Sequence, residues 1–175
     1  IGAMVGPEAF TEVRYLAHAK QMQALELIPQ LAAEFTTAFG RDSGGLVRPY
    51  CCDGAETIVV ALGSVLGTIK DTVDEMRADG HKIGVLGIVS FRPFPLAAVR
   101  EVLKDAKRIV VLEKSLAVGI GGIVATNVHL ALSGLETHSY TVVAGLGGRA
   151  ITKASLHKLF RQAQKDELEQ LTFLD

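Results

Sequence analysis

Apolar and polar positions alternate along this chain in blocks of two periods. Residues 11–39 lack glycine and carry Leu16, Met22, Leu25, Ile28, Leu31, Phe35 and Phe39 near helical spacing, so a long helix is expected there. Pro29 should kink or divide it, and Gly40 should stop it. Residues 41–56 turn glycine-rich and then polar, a connector with a short edge strand at Val47–Cys51. Four strand–helix steps follow. Thr57–Leu62 reads as a strand, with the turn Gly63-Ser64 and a helix over Val65–Ala78 that buries Leu66, Ile69, Val73 and Met76. Lys82–Val89 is the next strand, ending in the corner Arg92-Pro93-Phe94-Pro95, with a helix over Leu96–Lys104. Arg108–Leu112 leads through the Gly-rich loop 113–122 to a helix over Ile123–Leu132. Tyr140–Ala144 leads through Gly145–Arg149 to a last helix near Thr152, a fair cap.

Strands alternating with helices across short loops predict an α/β fold: an open, mostly parallel sheet with helices on both faces, preceded by the long N-terminal helix. Residues 1–10 are expected to be a tag or junction, 11–45 a helical segment and connector, and 46–170 the α/β domain. The long helix is expected either to pack on a neighbouring domain or to cover one face of its own sheet.

Composition narrows the function. The 175 residues are 49% hydrophobic and 21% charged, ordinary for a globular domain. A net charge of −1 gives no reason to expect nucleic acid, and no apolar run reaches transmembrane length. Ile1–Met4 lacks the pattern of a secretory signal. Two adjacent cysteines, Cys51 and Cys52, suit a reducing, cytoplasmic setting and are too few for an iron–sulfur cluster. His18, His81, His129, His138 and His157 lack zinc-ligand spacing.

Four places carry candidate chemistry. Gly63 and Ser64 could bind an anion at a helix start or form a plain capped turn, and the plain turn is favoured. Arg92 sits at the carboxyl end of a strand, where open α/β sheets meet ligands. Glu113, before the loop 113–122, reads as an acid/base group or as a partner for Arg92 across adjacent strand ends; the second needs no chemistry. The glycines there do not form the dinucleotide pattern, which excludes that site. Gly147 and Arg149, in Gly145-Leu146-Gly147-Gly148-Arg149, could meet a phosphate or carboxylate or fix an inter-subunit contact.

Taken in order, Phe39-Gly40-Arg41, Asp53–Glu56 with the strand to Gly63-Ser64, Arg92–Pro95, Glu113-Lys114 with its glycines, and Gly145–Arg149 resemble one family. It is the second domain of the pyruvate:ferredoxin and related 2-oxoacid:ferredoxin oxidoreductases, which is similar to the transketolase C-terminal domain. Ala150 stands where the family pattern often has Asp. The resemblance covers roughly residues 10–165. It implies part of an alpha subunit of an enzyme that converts a 2-oxoacid to acyl-CoA with thiamine diphosphate, magnesium, iron–sulfur clusters and coenzyme A. Electrons pass to ferredoxin. This chain has no Gly-Asp-Gly motif, no cluster cysteines and a single asparagine, Asn127, so it is expected to bind none of these alone and to be inactive by itself. Its expected partners are other domains and subunits and a homo-oligomeric copy. Gly63, Ser64, Arg92, Glu113, Gly147 and Arg149 are then interface or anion contacts rather than catalysts. The alternatives are the carboxyl-terminal domain of another thiamine enzyme, such as a 2-oxoacid dehydrogenase beta subunit, or a stand-alone anion-binding module.

Overall fold

A run of four β-branched residues closed by alanine, Thr57-Ile58-Val59-Val60-Ala61, forms the strand at the centre of a six-stranded sheet, and every one of its residues is buried. Strands covered on both faces have no polar side to show, which is why this one reads as continuous rather than alternating. The computed structural model describes residues 4–174, which fall into two units: residues 4–46 with Ser90–Pro95, and Val47–Val89 with residues 96–174. The junction expected over 1–10 lies in part on residues 1–3, outside the described residues.

In the first unit, α1 runs over Pro7–Phe39. It begins four residues earlier than expected because Pro7 occupies the first turn, where a missing N–H costs nothing. Pro29 lies inside it without dividing it. Pro29 is exposed, so the carbonyl it leaves unbonded one turn earlier can be met by water. Gly40 ends the helix as expected, its amide donating to the Thr36 carbonyl at 2.8 Å. No residue of α1 is fully buried, and Phe10, Tyr15, Leu16, Leu27 and Leu31 are exposed.

The second unit holds β1 (Val47–Tyr50), β2 (Thr57–Ala61), α2 (Val65–Ala78), β3 (Ile83–Ile88), α3 (Leu96–Leu103), β4 (Arg108–Glu113), α4 (Ile123–Ala131), β5 (His138–Val143), α5 (Lys153–Gln164) and β6 (Leu171–Phe173). The strand order is β1-β3-β2-β4-β5-β6. β1 is antiparallel to β3, and all other neighbours are parallel. Val59 is level with Val85 on one side and Val110 on the other, and Val110 with Tyr140. Pro49 in β1 is tolerated because β1 is an edge strand. β6 has no counterpart in the sequence expectations; three residues are too few to show a period.

One core cluster joins Val59, Val85, Val110, Leu112 and Val142 of the sheet to Ile69, Val73 and Met76 of α2 and Leu156, Leu159 and Phe160 of α5. Leu66, expected in the buried face of α2, is only half-buried beside it. α3 and α4 pack on each other, with α3 also meeting β1 and α4 meeting β4. The chain steps from β2 outward to β3 and then crosses back to β4 on the other side of β2. The carboxyl ends of β2 and β4 therefore flank the switch point, where open α/β sheets leave a crevice.

Candidate functional site: the carboxyl edge of the sheet

Three of the four sequence-marked places lie in the second unit, and all three fall on this edge. Gly63-Ser64 follows β2, Glu113 ends β4, and Gly145–Arg149 follows β5, on three adjacent strands.

Glu113 is the best defined of them. It is 4% exposed, and its carboxylate accepts four hydrogen bonds. The Ile123 and Val124 amides donate to Oε2 at 2.8 Å, and the Ala125 amide donates to Oε1 at 2.9 Å. The Ser115 hydroxyl donates to Oε2 at 2.6 Å. Glu113 thus caps α4 from ten residues away and satisfies amides that a helix start leaves without partners. Its negative charge lies on the positive end of the helix dipole. Gly122 makes this approach possible, because a Cβ there would collide with the Glu113 carboxylate. Three of the four bonds fall on Oε2 and one on Oε1, so the carboxylate is held chiefly as the cap of α4. Sequence reasoning marked Glu113 and the glycines but did not connect them. The usable signal was an acid at a strand end with a glycine one residue before a predicted helix.

The turn after β2 is different. Ser64 stands at the head of α2, but its side chain makes no capping bond, which corrects its expected role. Its backbone is already helical (φ −65°, ψ −24°), so its Oγ is not placed to accept from the amides ahead of it. The Leu66 and Gly67 amides instead donate back to the Gly63 and Ser64 carbonyls at 3.2 and 3.3 Å.

The loop after β5 is a single 3-10 turn at Leu146–Gly148, closed by the Gly148 amide on the Gly145 carbonyl (3.2 Å) and the Arg149 amide on the Leu146 carbonyl (3.3 Å). Gly145, Gly147 and Gly148 have φ of 73°, 64° and 86°, a run that side chains would strain. Open space surrounds Gly147, whereas Gly145 is crowded by Lys114 and Ile151. Thr152 caps α5 as expected: it accepts from the Ser155 amide at 3.1 Å, and Ser155 Oγ accepts from the Thr152 amide.

Arg92 belongs to the other unit. It donates to the Phe91 carbonyl at 2.7 Å and lies 4.3 Å over the Phe91 ring, and Phe91 and Phe94 meet edge to face. The Arg92–Pro93 peptide is cis. Cys51 and Cys52 are both free thiols. Cys51 packs against the α2–α5 cluster, whereas Cys52 lines a cleft beside α3, so the two do not present a paired thiol site. Burial raises the Cys52 pKa.

A second polar cluster, unmarked in the sequence, sits at the opposite edge. Arg108 donates to both oxygens of Asp166 (2.7 and 2.5 Å), and the Tyr140 hydroxyl donates to Asp166 at 2.9 Å. The Arg108 guanidinium holds the Asp166 carboxyl down at about 2. Among the described residues, no three His, Cys, Asp or Glu side chains lie close enough to hold a metal ion.

The fold and its glycine-rich carboxyl edge define a transketolase-like α/β domain. A split-gene transketolase, solved as an inactive beta4 tetramer, superposes with a TM-score of 0.53 over 73% of this chain and 44% of that one, at 18% identity. The 2-oxoglutarate:ferredoxin oxidoreductase of Magnetococcus marinus, solved with 2-oxoglutarate, coenzyme A and succinyl-CoA, superposes with a TM-score of 0.53 over 74% of this chain and 21% of that one, at 16% identity. These likenesses show the fold. Residues 55–156 match the family model for pyruvate:ferredoxin oxidoreductase core domain II, and the chain belongs to that family. The pyruvate synthase subunit PorA of Methanosarcina barkeri is 40% identical over 94% of this chain and 42% of its own length. PorA of Methanothermobacter thermautotrophicus is 33% identical over 95% and 43%. The ketoisovalerate oxidoreductase subunit VorA of Pyrococcus horikoshii is 30% identical over 94% and 42%. The chain spans about two-fifths of the length of these curated relatives.

Proposed function

We propose that this chain is the second core domain of the alpha subunit of a 2-oxoacid:ferredoxin oxidoreductase of the pyruvate synthase type. The whole enzyme decarboxylates a 2-oxoacid oxidatively, forms acyl-CoA and passes the electrons to ferredoxin. This domain supports its assembly in the cytoplasm, as part of a homo-oligomer, and is inactive alone. The observation that carries the reading is 40% identity to a pyruvate synthase subunit across 94% of the chain.

Such an enzyme uses thiamine diphosphate, magnesium, iron–sulfur clusters and coenzyme A, and the residues here do not fit them. The helix start of α4, whose amides gather on an anion, is filled by Glu113. No metal-binding group of side chains exists among the described residues. The proposal therefore places these groups on other domains. It gives Gly63, Ser64, Gly147 and Arg149 the role of contacts to neighbouring domains along the carboxyl edge, and Arg92 the same role in the other unit. Glu113 acts behind them, as a positioning residue.

The test is reconstitution. The full subunit containing this segment is assembled with its partner subunits and cofactors, and pyruvate- and coenzyme A-dependent viologen reduction is followed. Activity from the complex and none from residues 1–175 supports the proposal. A cofactor-loaded complex inactive on pyruvate and other 2-oxoacids sinks it. Saturable phosphate binding by the chain alone would favour an anion-binding module.

A further inference from the structure

Helix α4 turns one face toward β5 and β6, and a cleft of about 320 Å³ opens between them. Gly122, Ala125, Thr126 and His129 line it from the helix side, at the spacing of a single helical face. Thr141, Gln170 and Leu171 line it from the sheet side.

The polar groups on these walls have bonding capacity to spare. Tyr140 and Val142 face the core cluster, so Thr141 between them faces the other way, toward α4. Thr141 is 6% exposed. Its amide donates to the Gln170 carbonyl at 2.9 Å, but its hydroxyl has no partner among the described residues. Thr57 makes the contrast: its Oγ1 is also unpartnered, but it is sealed from solvent and nothing from outside can reach it. The Thr141 hydroxyl is not sealed and opens on the cleft. A buried hydroxyl without a partner carries a cost that a bound group would remove. The Gln170 side-chain amide is likewise unpaired among the described residues. His129 Nε2 shares a hydrogen bond with Ser139 Oγ at 3.0 Å and leaves Nδ1 over. The Thr126 hydroxyl donates to the Gly122 carbonyl at 2.7 Å, so only its lone pairs remain.

We infer that this cleft binds a carboxamide. An anion would lie over Glu113, whose carboxylate sits directly under Gly122, and the α4 amides that could hold it are already taken. A cation finds no carboxylate on the walls, since no Asp, Glu, Lys or Arg lines them. No Phe or Tyr ring is there for a sugar or a nucleobase to stack on. Among uncharged groups, Thr126 calls for a donor, while the Thr141 hydroxyl and the Gln170 amide offer donors of their own. A carboxamide supplies N–H donors and a carbonyl acceptor in one plane, and the bare floor of Gly122 and Ala125 lets that plane lie close. The group belongs either to a small amide or to an Asn or Gln side chain of a neighbouring domain; the chemistry that recognises it is the same. The inference stands apart from the oxidoreductase assignment, because it is read from the cleft and not from viologen reduction.

The test follows NMR resonances of the 175-residue chain while acetamide, acetate or 2-propanol is added. The three probes share one branched shape and differ in charge and in donors. Acetamide should shift the Gly122, Thr141 and Gln170 signals saturably, with a dissociation constant of roughly 10 mM, as suits so small a ligand. Acetate and 2-propanol should bind at least roughly 10-fold more weakly. Thr141→Val should weaken acetamide binding roughly 10-fold and leave the thermal midpoint unchanged or raised, because the hydroxyl it removes has no partner to lose. Gln170→Ala, at an exposed side chain, should weaken it in the same direction. Acetamide that gives no saturable shift up to about 500 mM overturns the inference. So does acetate or 2-propanol that binds as tightly, and so does wild-type binding in both variants. The Thr141 methyl signal, followed in the assembled enzyme, separates the two sources. Acetamide that still reaches it points to a small amide. A cleft closed to acetamide, in an enzyme whose assembly Thr141→Val loosens, points to a side chain. A closed cleft whose assembly is indifferent to Thr141→Val overturns the inference.

Discussion

Two carboxylates hold opposite edges of the sheet in different surroundings. Glu113, at the carboxyl edge, is 4% exposed and takes all its hydrogen bonds from one helix start and one hydroxyl. Asp166, at the amino edge, has a side chain 40% exposed and takes its bonds from Arg108 and Tyr140. The first is a buried charge held by backbone dipoles; the second is a surface ion pair reinforced by a phenol. The difference decides what each does. A carboxylate buried from solvent must keep every donor it has, so it fixes the loop and helix around it. A half-exposed one exchanges its donors for water at little cost.

The largest effect should follow from emptying the buried site. Glu113→Ala strands the amides of Val124 and Ala125 in a buried position and leaves a cavity, at a cost of about 3–5 kcal/mol. The thermal midpoint should fall by roughly 10 °C. Glu113→Gln keeps an acceptor and the shape, and should cost less than half as much. A Glu113→Ala protein that melts like the wild type would remove the distinction between the two carboxylates. Gly122→Ala approaches the same site from the other side. Its Cβ would meet the Glu113 carboxylate and the Thr141 methyl, so it should cost about 1–3 kcal/mol by overpacking, read by urea unfolding. Combined with Glu113→Ala it should cost less than the sum, because the carboxylate it strikes is gone.

Most of the fold was legible because its signals are local. Val65–Ala78 was bounded correctly from a glycine-serine turn and an apolar stripe, and the Thr152 cap was visible from its residue type at the head of the last helix. Signals that depend on reach were not legible. Glu113 meets amides ten to twelve residues on, a distance no spacing rule covers, and only the Gly122 backbone permits it. Asp166 meets Arg108 across 58 residues. Ser64 misled for the converse reason: it is the right residue type at the head of α2, but its backbone is already helical. The family resemblance carried the ordered loops along the chain without revealing that one of them is pinned internally.

Asp166 sharpens the comparison through pH. Its carboxyl titrates at about 2 in the folded chain against an ordinary 3.8, because of Arg108 first and the Tyr140 hydroxyl after it. A lowered folded pKa stabilises the protein above the unfolded value, and that contribution is lost as pH falls from 3.8 toward 2. Asp166→Asn should therefore cost a pH-independent amount above about pH 5, and the gap to wild type should close on acidification. The cost should stay under about 1 kcal/mol, since the pair is partly exposed and screened. Urea unfolding at neutral and acid pH measures it. A gap that widens in acid would mean that the sign of the Arg108–Asp166 interaction is wrong.

Ser64→Ala should do the least, and that small effect is itself informative. A serine that caps a helix through its side chain costs about 1 kcal/mol when removed. Ser64 makes no such bond, and the first amides of α2 already turn back to the Gly63 and Ser64 carbonyls. The substitution should then change stability by less than about 0.5 kcal/mol, as at an ordinary surface position. A loss near 1 kcal/mol would show that Ser64 swings into a capping position in solution. The starts of α2 and α4 would then both be held by side-chain oxygens, and the contrast between a sealed α4 and an open α2 would vanish. A loss below that threshold leaves α2 as the start whose surroundings a neighbouring domain can still complete.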